Sequence, residues 1–220
     1  MKCYLCDKEA TSKEHCPAKS FFPVNKCTSL IKVPSCSIHN EDTSLDDEYV
    51  RNLILMTKGN NEIAEMHLRN KGLKSLLRKA GLFNLMTKNP QRLNFIKDDE
   101  DSKNLAFEID RDRFDKGLRK IAYGIYYFAF SQIWYRNLVV STHNLVTEKL
   151  KVDSTAELIQ YLKKESDFEI IYEGANPEVF KYSFLHQSST NNKILVMQFY
   201  EWFEVWIIPK QNSFQPSLDS

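Results

Sequence analysis

Two styles of hydrophobic patterning divide this chain. Through residues 1 to about 42, Cys, Pro and Ser dominate and helical periodicity is weak; a single short apolar run, residues 29–33, predicts a strand. From Thr43 the pattern turns helical. Thr43 or Ser44 can cap the start, Asp46, Asp47 and Glu48 fill the first turn, and Val50, Leu53 and Ile54 follow at helical spacing, which predicts a helix to about Thr57. Two more helices are expected at 61–70 and 71–88, before Asn89-Pro90 breaks the pattern. Further on, Phe114, Leu118, Ile121, Ile125 and Phe128 share one face of a long helix, and a shorter helix is expected at 154–165. The runs FEIIYE, VFKYSFL, KILVMQFY and EVWIIP then have the spacing of antiparallel hairpins.

The pattern predicts an α+β chain in parts: an N-terminal module at 1–58, a basic helical connector at 59–103, a C-terminal helix-plus-antiparallel-strand module at 104–211, and a disordered tail at 212–220. Of 220 residues, 42% are hydrophobic and 12% aromatic, enough for a packed core. Thirty basic and 29 acidic residues nearly cancel, so any attraction to nucleic acid must be local. It is concentrated between Lys58 and Lys97, where nine Lys or Arg face two Glu. The N-terminus has neither an apolar secretory stretch nor a small-residue cleavage site, which predicts a cytoplasmic protein. The uncharged run 121–135 is too short to span a membrane and is expected to be a buried helix.

In a reducing compartment, five cysteines raise a question about metal rather than disulfides. Cys3 and Cys6 form a C-x2-C, and Cys36 with His39 a C-x2-H. Each two-residue gap lets a tight turn present both side chains to one ion, so the four predict a structural zinc site, with Cys16 and Cys27 left over as small buried residues. Joining the two pairs makes the intervening chain double back. Glu14, His15, Asn40 and the acidic start of the following helix should then converge, as a second, hard-metal site for hydrolysis would require.

The segments CYLC, KEHCP, VPSCSIHN and SLDDEY, in that order over residues 3 to about 51, resemble the HNH endonucleases, ββα-metal nucleases, in their zinc-knuckle variant. FDKGLRKIAYGIYY at 114–127 also resembles a helix that follows this module in many bacterial members. The resemblance implies a metal-dependent endonuclease acting on DNA, with RNA as the alternative. His15 would be the general base, Glu14 a ligand of one magnesium or manganese ion, and Asn40 the brace of the hairpin. The last ligand of the family pattern would fall on Tyr49, a poor ligand for magnesium; Asp47 is favoured in its place, with Glu48 as the alternative. His39 also departs from the family pattern, standing where its last zinc cysteine would be.

Arg69, Lys71, Lys74, Arg78 and Lys79 are the candidate phosphate contacts of the basic tract. Gly72 and Gly81 suit close backbone approach or helix ends, and His67, His143 and His186 structural or surface roles. The aromatic stripe from Phe114 to Tyr135 is expected to be core or dimer interface rather than a platform for bases. A non-catalytic zinc module binding nucleic acid or protein is the competing class. Fold-level analogy alone suggests the effector of a bacterial defence or toxin system, its C-terminal module docking a second protein.

Overall fold

The computed structural model describes residues 1–41, 44–72, 91–92, 105–106, 109–142, 170–187 and 192–210. The expectations for Lys74, Arg78, Lys79, Gly81 and His143, the helices at 71–88 and 154–165, and the tail lie outside these residues, apart from Lys71 and Gly72.

Strands β1 (Ser12–His15) and β2 (Lys32–Ser35) pair antiparallel, with Ser12 opposite Ser35 and His15 opposite Lys32. The strand expected at 29–33 thus sits three residues later; Leu30 and Ile31 precede it and pack partly buried against the core. Helices α1 (Ser37–Glu41), α2 (Ser44–Met56) and α3 (Glu62–His67) follow, and a π turn closes the series at Leu68–Gly72. The Asn61 side chain caps α3 by accepting from the Ala64 amide at 3.2 Å. A two-residue ladder joins β3 (Gln91–Arg92) to β4 (Leu105–Ala106).

Helix α4 (Arg111–Phe130) begins on the Asp110 cap, whose carboxylate accepts from the Arg113 amide, and stops at Ser131, which takes the left-handed conformation at φ 54°. Strands β5 (Leu138–Thr142), β6 (Glu173–Asn176), β7 (Phe180–Gln187), β8 (Asn192–Phe199) and β9 (Phe203–Pro209) build one antiparallel sheet in the order β5-β9-β8-β7-β6. Two elements differ from the pattern. The FEIIYE run enters its strand only at Glu173, while Ile170 and Tyr172 pack on the outer face; β5, an edge strand of LVVST, carries too short an alternation to be anticipated.

One continuous core spans the N-terminal segment, α2, α4 and the inner face of the sheet. It unites Tyr4 and Phe21 with Tyr49, Val50 and Ile54, with Phe114, Leu118, Ile121 and Ile125, and with Met197, Phe199, Phe203 and Val205. Helix α4 can approach so closely because two glycines face its neighbours. A Cβ on Gly117 would lie 2.5 Å from Val50 Cγ2, and one on Gly124 2.2 Å from Cys16 Sγ. Gly124→Ala is expected to destabilise the fold by about 1–3 kcal/mol through this overlap, measurable by urea denaturation.

His67, for which a structural or a surface role was expected, is buried. Tyr200 donates to the Phe21 carbonyl, so the hydroxyl oxygen takes its second bond, at 2.9 Å, from His67 Nδ1. Burial, then Arg51 and Lys71, lower the His67 pKa to about 4. The unfolded chain therefore binds the proton at a higher pH than the folded one. This contribution to stability is complete above about pH 6.5 and is lost as pH falls toward about 4. Between pH 7.5 and 5 it amounts to about 2 kcal/mol in urea denaturation, and the loss should be smaller by that amount in His67→Gln.

Candidate metal centre and histidine cleft

The two knuckles meet. His39 Nδ1 lies 3.4 Å from the Sγ atoms of both Cys3 and Cys36 and 3.6 Å from that of Cys6, while Cys6 and Cys36 are 3.9 Å apart. All four donor atoms fall within 4.8 Å of one another. Around a tetrahedral ion with Zn–S about 2.3 Å and Zn–N about 2.0 Å, neighbouring donors are separated by about 3.5–3.8 Å. The group therefore fits a metal ion such as zinc, with three thiolates suiting a borderline-soft cation.

Asn40, one residue past the last ligand, ties this group to the hairpin. Its Nδ2 donates to Ser12 Oγ at 2.8 Å, and that hydroxyl donates to the Ser35 carbonyl at 3.2 Å. The amide thus locks the β1–β2 register rather than reaching His15 itself.

Glu14 and His15 do not share a face. Successive side chains of a strand point to opposite sides, and here Glu14 turns inward, 6% exposed, while His15 turns outward. The expected convergence of His15 with Glu14 and the acidic start of α2 on one site is therefore corrected by the pleat. Glu14 Oε2 accepts from Tyr4 Oη at 3.0 Å and Ser35 Oγ at 3.3 Å, and its other oxygen pairs with Lys120 of α4. Lys120 also contacts both Asp47 oxygens, at 3.3 and 3.2 Å.

Two carboxylates thus share one ammonium, an excess of negative charge in a buried place. Burial pushes the Asp47 carboxyl up against the pull of Lys120. Burial alone would lower Lys120, but Asp47 and Glu14 outweigh it and hold its pKa above the ordinary lysine value. Both directions follow from one ammonium serving two acids. Cys16, alongside, is fully buried and stays a thiol, its pKa pushed up chiefly by that burial.

The rest of the acidic turn is also engaged. Asp46 pairs with Arg113 at 2.7 Å, and Glu48 with Arg51 at 3.7 Å. Tyr49, where the family pattern puts a ligand, is buried and accepts from the Asp110 amide at 2.8 Å, under the Arg113 guanidinium. Magnesium demands near-octahedral oxygen at about 2.1 Å. Carboxylates closed on an ammonium do not fit it. Among the described residues, the Cys3–Cys6–Cys36–His39 group is the one set of donors arranged for a metal.

His15 opens instead into a cavity of about 530 Å³ lined with Lys19, Cys27, Ser29, Leu30, Lys32 and Phe128. Lys32 arrives as its cross-strand partner, and Lys19 from a single 3-10 turn, Lys19–Phe21, anchored by the buried Phe21. Burial, then Lys32 and Lys19, lower the His15 pKa. Neither lysine has a carboxylate partner among the described residues. Burial, then Arg51, lower the Lys71 pKa, and Lys19 adds a smaller push in the same direction. Arg69 is exposed and pairs with Glu65 at 4.0 Å.

Lys19 and Lys32 are residues that the sequence did not single out, and Phe128 was expected only as part of the apolar face of α4. Phe128 ends the apolar stripe of α4, yet it is 51% exposed where its predecessors are buried; the stripe is core only as far as Ile125 and its last ring faces the cleft. Lys32 was within reach of inference, because a histidine on one strand of a hairpin takes its neighbour from the other.

No family model, curated protein or solved structure matches the chain. Among the described residues, no helix is long and apolar enough to cross a membrane.

Metal analysis of the purified protein is expected to return about one ion per chain. Cys36→Ser should lose it and about 4 kcal/mol or more of stability, a fall in Tm of roughly 8–16 °C at this chain length by calorimetry. A metal-free parent with unchanged Tm would remove the group as a metal centre.

Proposed function

We propose that the chain hydrolyses phosphodiester bonds in DNA as an HNH-type endonuclease, with His15 as general base. One juxtaposition supports this most: the His15 imidazole lines one cleft with Lys19 and Lys32, on a hairpin closed by a metal-fitting group. Its lowered pKa keeps the ring neutral near pH 7, where it can accept a proton from an attacking water. The two ammonium groups supply the charge that draws a phosphate to the same place and offsets the negative charge gathering on it. Asn40 fixes the strand on which His15 rides.

Zinc is the ion proposed for Cys3, Cys6, Cys36 and His39. With four protein ligands it has no open position for water, so it holds the hairpin and takes no part in hydrolysis. The magnesium or manganese expected from the family pattern has no open site at Glu14 and Asp47, and no step is assigned to it. That same closure by Lys120 favours the second reading, a module that binds nucleic acid without cutting it.

Nicking of supercoiled plasmid in magnesium, by the parent and by His15→Ala, separates the two. Hydrolysis predicts a loss of at least about 100-fold in His15→Ala. Equal nicking by both proteins would refute His15 as base. Binding without nicking, retained in His15→Ala, would leave the binding module.

A further inference from the structure

Hydrolysis needs a base and positive charge, but it does not need an exposed aromatic ring. Phe128 supplies one beside His15. The other apolar residues of its helical face, Phe114, Leu118, Ile121 and Ile125, are buried, so the ring at the end of the stripe is not required to fill the core. It lines the cleft together with Leu30, and Lys19 and Lys32 line the same cleft.

An apolar, aromatic wall beside cations with no carboxylate partner among the described residues matches the two halves of a nucleotide, a base and a phosphate. We propose that the His15 cleft takes one unpaired nucleotide, its base against Phe128 and Leu30 and its phosphate between Lys19 and Lys32. The preferred substrate is then single-stranded or locally unpaired nucleic acid; this rests on the hydrolytic role of His15 only for the outcome of binding, not for binding itself. A base inside a duplex has both faces stacked and cannot offer one to a side chain without leaving the helix. The cleft, at about 530 Å³, falls in the range of pockets for small ligands. It has room for one extruded nucleotide.

The probes are a short labelled oligothymidylate, the same chain of phosphates with abasic sites, and the oligothymidylate paired to its complement. Their binding is measured by fluorescence anisotropy without added divalent ion. The parent should bind the oligothymidylate about 10-fold or more tightly over the abasic chain and over the duplex. Phe128→Ala should abolish the preference for bases and Phe128→Trp should keep it. Lys19→Ala/Lys32→Ala should weaken the oligothymidylate and the abasic chain alike and reduce the dependence on salt.

Equal affinity of the parent for all three probes, no binding to any of them, or a preference unchanged in Phe128→Ala, would overturn the proposal. Because Phe128 is half exposed, its variants should keep the parent Tm. The two roles fail separately: base preference without nicking removes hydrolysis and leaves the nucleotide pocket, whereas nicking without base preference does the reverse.

Discussion

Three thiols and an imidazole drawn within 4.8 Å of one another constrain the chain N-terminal to α2. A metal held between the two halves of that group would contribute folding free energy to a segment that also places Phe21, Phe22 and Val33 in the core. Once the ends are fixed, the intervening residues must return on themselves, and β1 pairs with β2. Asn40 then selects the register through Ser12 and the Ser35 carbonyl. A slip of one residue in β1 would turn Glu14 to the outer face and His15 to the inner one.

The parts of the site that could be read from the sequence are those whose partners are near in sequence or repeated at knuckle spacing. Cys3 with Cys6, and Cys36 with His39, each form a local pair, and their meeting follows from metal chemistry. The acidic start of α2 and the apolar face of α4 are equally local. What stayed hidden depends on α4, about a hundred residues from the hairpin. Nothing in KEHCP or SLDDEY indicates that Lys120 would arrive between their carboxylates, because the approach is set by Gly117 and Gly124 fitting against Val50 and Cys16. The exposure of Phe128 was hidden for a related reason: helical periodicity gives a face, but not the point at which the core ends and the face meets solvent.

The pleat of β1 gives the two sides of a single strand different surroundings. On its inner side, Glu14 is spent on Tyr4, Ser35 and Lys120, binding hairpin, α2 and α4 together. Buried ion pairs of this kind add little net stability against an apolar alternative, yet removing one member leaves an uncompensated charge and costs several kcal/mol, roughly 3–5. The inner side is therefore poorly suited to a reaction that must exchange ligands. On the outer side there are a neutral imidazole, two ammonium groups free of carboxylate partners among the described residues, and an aromatic ring. Such a surface carries positive charge and an apolar face, and among the described residues it offers no carboxylate to a cation. A divalent ion taking part in catalysis would thus be carried in by the phosphates themselves, which supply the oxygen ligands that magnesium prefers, instead of waiting in a site formed by the protein.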